Sequence, residues 1–144
     1  MGLLIASDMR SDLSELRPVF KVWADGVELL GWPQLRPGSA PPEYRVRMLG
    51  YMMDGYRPVA DGAPVAMFVL MPEAGHLFHP AHRVPEEMVE VWLTEGTSVA
   101  YKDRDMVWVE GLLHRSEGRS MWAMTDAFVA RADERAIAQW FAPR

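Results

Sequence analysis

His76, His79 and His82 stand three residues apart, and the chain has only one other histidine. Glu73 lies just before them, and Glu86 and Glu87 just after. Imidazole nitrogens with a carboxylate oxygen form a donor set that Zn²⁺ accepts in tetrahedral geometry. The three histidines supply three ligands and Glu73, Glu86 or Glu87 a fourth; the candidate metal ligands are His76, His79, His82 and Glu86, with zinc as the implied ion. On a helix, residues three apart would share a face, but Gly75 and Pro80 break helical continuity. In a loop the three rings either converge on an ion or diverge, and spacing alone does not choose. The competing reading has His79 hydrogen-bonded to backbone, fastening the loop, with His76 and His82 in water.

Other chemistry is less well served. Glu86 and Glu87 would work as an acid and base pair only if they faced one another. Consecutive residues of an extended chain point to opposite faces, so a turn cap at Pro85 is the simpler role. A nucleophile needs an adjacent base and an orienting third group. Ser98, Ser116 and Thr125 supply hydroxyls, and His114 precedes Ser116 by two residues, but no G-x-S-x-G elbow surrounds either serine. The chain has no cysteine, which removes thiolate chemistry and disulfides together. "DGAP" and "DGY" are turns rather than phosphate loops. No catalytic residue is assigned.

Trp92, Trp108 and Trp122 fall on three predicted strands. They would stack bases if they shared a face, and core packing is the competing role. The 11 methionines cluster only at "GYMMDGY" and "MWAM". Thioethers suit Cu(I), but methionine also fills irregular cores.

The totals narrow the partners. The 144 residues are enough for one domain with a proper core, and 49% hydrophobic with 24% charged residues is a globular balance. A net charge of -5 opposes nucleic acid, which needs a basic stripe to neutralise phosphates, and equally opposes an anionic membrane surface. No segment approaches the roughly 18 uninterrupted apolar residues of a membrane span, so no membrane insertion is expected. The apolar run Leu3 to Ala6 is short for a signal peptide and has no positive region before it. The expected compartment is cytoplasmic, or periplasmic if an export signal was removed.

The elements that must position these residues follow from periodicity. "SDLSELRPVFKVW" has Leu13, Leu16, Phe20 and Trp23 at helical spacing behind a Ser11 cap, which predicts a short N-terminal helix broken or kinked at Pro18. "GWPQLRPGSAPPEY" predicts a loop over Pro33 to Pro42. From Tyr44 the period changes to two. "YRVRMLGYMM" places Val46 and Met48 inward, and Gly50 within it predicts a bulge or a barrel corner. "VAMFVLMP", "MVEVWL", "MVWVEGLLHR" and "MWAMTDAFVARA" predict four further strands, and "DERAIAQWFA" a C-terminal helix capped by Asp133.

The order of these pieces resembles an uncharacterised bacterial family, domain of unknown function 3299. "VRMLGYMM" (Val46 to Met53) matches its glycine-tyrosine-methionine strand. "MFVLMPEAGHLFHP" (Met67 to Pro80) matches an apolar strand that ends in proline and enters a loop with cysteine, histidine and prolines. "PEEMVEV", "VWVEGLL" and the upstream "LLGWPQL" match further pieces, so the likeness spans roughly Leu29 to Ala132. His79 is the histidine that aligns with the family's loop motif, and the spacing from it to Glu86 is the most specific part. Leu77 stands where the family has cysteine, and Glu86-Glu87 where it has asparagine and glutamine. The resemblance implies a non-enzymatic accessory role in an envelope process, beside transporters, some of them for zinc.

The expected fold is mainly β: a small five-stranded antiparallel OB-like barrel with short N-terminal and C-terminal helices. One domain spans residues 1–144, with the barrel core over about 44–132, the N-terminal helix and loop over 11–43, and the C-terminal helix over 133–142. The expected function is a non-enzymatic binding or accessory module, zinc-linked, using the loop 73–87. The alternative is a protein-interaction or scaffold subunit with no small ligand, which binds a partner or a second copy.

Overall fold

Period-two burial organises the molecule. In β3 (Arg45–Met53), Val46 and Met48 are fully buried while Arg45 and Arg47 stay half-buried on the outside. The structure is a computed structural model, and it describes residues 13–19, 26–35, 42, 44–54, 57–73, 87–116 and 122–142. The remaining strands are β1 (Arg17–Pro18), β2 (Glu28–Leu29), β4 (Pro64–Val65), β5 (Met67–Met71), β6 (Val89–Leu93), β7 (Val99–Ala100), β8 (Met106–Arg115), β9 (Trp122–Arg131) and β10 (Phe141–Ala142). Among the described residues a 3₁₀ turn covers Trp32–Leu35, and one α-helix, α1, covers Arg135–Trp140. All five long strands read from the sequence are present, four from alternation and β5 from its continuous apolar run.

The five close on themselves in the order β3-β5-β6-β9-β8, with β8 returning to β3. The closing seam is the long register from Arg45↔Leu112 to Tyr51↔Met106. β6 and β9 run parallel, from Val89↔Trp122 to Leu93↔Ala127. This corrects the all-antiparallel expectation. A ring with an odd number of strands cannot alternate direction all the way round, so closure at five forces one parallel pair. The barrel is mixed. Its interior is filled by Val46, Met48, Phe68, Leu70, Val89, Val91, Val109, Leu113, Trp122 and Met124, each at most 2% exposed. Burying each large apolar side chain contributes about 1.5–3 kcal/mol before the entropy of ordering is counted.

Both strand glycines mark close approaches. A Cβ on Gly50 would lie 2.6 Å from Leu70 Cγ and 3.0 Å from the Met71 carbonyl oxygen. Gly50 is therefore not a bulge: it stays in register with Val107 and lets β5 press against β3. A Cβ on Gly111 would lie 2.8 Å from the Thr125 carbonyl oxygen. Opposite Gly111 the β8–β9 register shifts, and Asp126 adopts φ 52°. That is a β-bulge with its extra residue in the left-handed region, where aspartate is among the better-tolerated side chains.

The remaining pieces pack outside the barrel. β2 adds parallel to the start of β3 (Glu28↔Val46, Leu29↔Arg47). Where β2 leaves, the Trp32 indole N–H donates to the Leu49 carbonyl at 2.9 Å, and the Trp122 indole donates to the Leu35 carbonyl at 3.0 Å. β1 and β10 pair antiparallel, joining the two terminal segments across the outside (Pro18↔Phe141). α1 follows Asp133, whose carboxylate accepts the Arg135 N–H at 3.0 Å, so the expected C-terminal helix is present in shortened form. Trp108 receives it, edge-on to Trp140 at 6.5 Å and stacked on Phe141 at 6.2 Å.

The expected N-terminal helix is corrected where it can be seen. Residues 13–19 hold a turn and then β1, not a helix. Leu13 N–H donates to the Pro72 carbonyl at 2.7 Å, Leu13 and Leu16 are buried, and Val19 N–H reaches the Trp140 carbonyl. Backbone groups that a helix would use internally are spent on tertiary partners, and Pro18 has no N–H to give one. The other parts of that expected helix, 11–12 and 20–23, lie outside the described residues.

Candidate functional site

β5 and β6 are hydrogen-bonded antiparallel neighbours (Leu70↔Val89) that a turn of two to five residues would join. The chain instead inserts residues 72–88 between them. The insertion leaves from the end of the barrel where Arg115 pairs with Trp122. Its anchors are described: Glu73 forms an isolated bridge, and Met71 and Met88 are 3% and 5% exposed. They join Met53, Val69 and the half-buried Met67 in a second apolar cluster on the outer side of β5. His76, His79, His82 and Glu86 lie outside the described residues. Among the described residues no group of three or more His, Asp or Glu is placed to hold a metal ion.

A second feature lies on the outer face of β3, β8 and β9. Arg47 Nη2 donates to Glu110 Oε1 at 2.5 Å, and Arg45 Nε donates to Glu110 Oε2 at 3.0 Å. Arg45 also donates to the Asp126 carboxylate at 3.1 Å and to the Asp126 carbonyl at 2.8 Å, and its guanidinium lies 5.3 Å from the Phe128 ring centroid. Arg47, foremost, and Arg45 hold the Glu110 carboxyl below its ordinary value, against the opposing effect of burial. Beside this lattice is a hollow of about 370 Å³ lined by Arg47, Trp108, Val109, Glu110, Phe128, Val129 and Ala130. Register explains it. Trp108 faces Ala130 and Glu110 faces Phe128, so a small residue sits between two aromatic walls. Phe128 is 55% exposed.

Sequence reasoning missed this face, although its signal was present: Arg45, Arg47, Trp108, Glu110 and Phe128 all occupy outward phases of the alternation. Which of them meet depends on strand pairing. The tryptophan platform is not formed. Trp122 is fully buried, Trp108 is committed to Trp140 and Phe141, and Trp92 stands 46% exposed on β6 with its indole donating to Glu90 at 3.3 Å.

His114 finds a hydroxyl, but not the neighbouring Ser116. Its Nε2 is 2.7 Å from Thr125 Oγ1 across the β8–β9 ladder. Among the described residues no third group orients the ring, and the pair lies exposed on an open sheet surface. It is a cross-strand hydrogen bond rather than an assembled nucleophile.

At the opposite end, buried Tyr101 ties two connections together. Its backbone exchanges bonds with Gly62 and Ala63, and its hydroxyl donates to Asp103 at 2.8 Å. Burial foremost, then the Asp103 bond and the charges of Asp103 and Asp54, push its ionisation well above the ordinary tyrosine range. A smaller hollow of about 250 Å³ lies between Glu28, Gln34, Tyr44, Leu113 and Trp122, with the Tyr44 hydroxyl donating to Glu28 at 2.5 Å.

No helix among the described residues is long and apolar enough to cross a membrane. No protein-family model matches the chain. No curated protein matches it either. Among solved structures it is similar to the crystal structure of a DUF3299 family protein from Pseudomonas aeruginosa PAO1. That match has 17% identity and a TM-score of 0.55, and covers 75% of this chain and 97% of the other. The chain has a DUF3299-like fold.

Proposed function

We propose, from the premise of a DUF3299-like barrel, that this protein is a non-enzymatic binding module whose recognition element is the 73–87 segment. One observation carries the reading. Hydrogen-bonded neighbours β5 and β6, which a tight turn would join, are separated by an insertion that holds three of the chain's four histidines. Long connections between adjacent strands are expensive to order and are commonly functional. In this reading His76, His79, His82 and Glu86 bind zinc and the barrel is OB-like, a reading that the strand order with its parallel β6–β9 pair supports. An accessory role in a periplasmic envelope or transport process is part of the proposal, since the family likeness implies it.

Isothermal titration of the purified chain with Zn²⁺ tests the metal. Saturable heat at one equivalent, and a melting temperature lowered by chelator, support it. Absence of heat with unchanged melting removes it.

The second reading is an interaction or scaffold subunit without a small ligand. Phe128, exposed beside an apolar-walled hollow whose charges are already paired, favours it. Light scattering over a concentration series separates the two. A mass that rises with concentration supports the scaffold, and a constant monomer mass together with zinc heat supports the metal module.

A further inference from the structure

Among the described residues, β9 has a strand neighbour on one side only beyond Ala127. β6 pairs with it as far as Leu93↔Ala127, and the Thr94 N–H closes that run on the Ala127 carbonyl at 3.1 Å. β9 then continues to Arg131 against β8 alone.

Register parity identifies the backbone groups left over. Met52 N–H donates to the Asp105 carbonyl and Arg104 N–H to the Met52 carbonyl, so the even residues of β3 and the odd residues of β8 face each other across their seam. The even residues of β8 then face β9, which makes Trp108–Ala130 and Glu110–Phe128 the hydrogen-bonded pairs. The Ala132 N–H, bonded to the Met106 carbonyl at 3.0 Å, has the same phase. Val129 and Arg131 therefore aim their N–H and C=O groups away from the barrel, and no described residue takes them.

We propose that this edge is a self-association surface, where two copies of the chain pair β9 to β9, antiparallel, about a two-fold axis at Ala130. The axis sets Val129 of one copy opposite Arg131 of the other, and the reverse. Outward donors then meet outward acceptors at both positions, and the isologous contact closes at two copies. Side chains fit the same phase. Ala130 meets Ala130 at the axis, where anything large would hold the strands apart, and exposed Phe128 comes opposite Ala132 of the second copy.

Charge agrees. The Arg131 side chain is held by its own Asp105, Arg47 by Glu110, and Arg45 by Glu110 and Asp126, so no uncompensated like charges face each other across the axis. The same pairing leaves no surplus positive charge here for a polyanion. The inference rests on the interaction reading, supplies its partner, and is independent of zinc. The contact is small, so a dissociation constant on the order of tens of micromolar is expected.

Sedimentation velocity of the full chain over a concentration series tests it. The wild type should show a monomer–dimer equilibrium. Val129→Pro deletes an N–H that points off the barrel and leaves the β8–β9 bonds intact, and it should weaken the dimer about ten-fold or more. Phe128→Glu, at an exposed position, should do the same, and it decides alone if the proline variant fails to fold. A chain that stays monomeric up to millimolar concentration overturns the proposal and leaves only a foreign partner for the interaction reading. A dimer that neither variant weakens overturns the β9 edge while the interaction reading survives through another surface.

Discussion

Arg45 holds Asp126 by both its backbone and its side chain: one guanidinium accounts for the Asp126 carbonyl at 2.8 Å and its carboxylate at 3.1 Å. The two residues come from the first and last strands of the barrel, and Asp126 is the left-handed residue of the β9 bulge. The clamp thus fixes the place where β8 and β9 fall out of register. Arg45→Ala should lower stability by about 2 kcal/mol, since hydrogen bonds to charged groups are lost and Glu110 keeps only Arg47. Urea unfolding, read as a lower midpoint at unchanged slope, checks it.

The bulge itself predicts an order among substitutions at Asp126. Valine is strained at φ 52°, whereas glycine occupies that region without strain. Both lose the carboxylate bonds to Arg45 and Thr94 and keep the Arg45 bond to the carbonyl, so Asp126→Val should be less stable than Asp126→Gly by about 1–2 kcal/mol. Equal melting temperatures for the two variants would show that the bulge relaxes freely.

Gly111→Ala should be costly despite its small size. Its Cβ would meet the Thr125 carbonyl at 2.8 Å, and backbone of the neighbouring strand cannot move aside as a side-chain tip can. Overpacking of this kind costs about 1–3 kcal/mol. Thermal unfolding followed by circular dichroism measures it, and a loss under about 0.5 kcal/mol, the range of an ordinary surface change, would contradict the close approach.

Acid should loosen the β3–β8 face through Glu110. Its folded-state ionisation lies below the ordinary 4.5, chiefly because Arg47 donates to the ionised form. A depressed carboxyl contributes stability that is present above the unfolded value and is lost as pH falls through the folded one. Stability of the wild type should therefore decline as pH drops below about 4.5, and Glu110→Gln should flatten that part of the curve. Urea midpoints across this acid range test it, and parallel curves for the two proteins would refute the assignment.

Alkali acts on Tyr101 with the opposite sign. Burial and its bond to Asp103 raise its ionisation above the ordinary 10.0. A raised group contributes stability below the unfolded value and loses it as pH rises further, so wild-type stability should fall above about pH 10. Tyr101 should titrate only as the protein unfolds, which ultraviolet difference spectroscopy detects as a component that Tyr101→Phe removes.

Alternation of apolar side chains was enough to place β3, β6, β8 and β9, because inward and outward phases are written residue by residue along each strand, whereas β5 was legible as a continuous apolar run stopped by Pro72. The same local logic located α1 behind Asp133. Pairing was not legible, because partner choice joins residues as far apart as Arg45 and Asp126 and no local pattern records it. Closure of five strands dictated a parallel pair, β6–β9, and over residues 13–19 docking onto Pro72 and Trp140 gives a turn and a short strand where a helix was expected. The candidate chemistry divided the same way. The histidine spacing was legible in sequence as a donor set, while the Arg45–Glu110–Arg47 lattice, the hollow over Ala130 and the unpaired edge at Val129 exist only because distant strands were brought into one register.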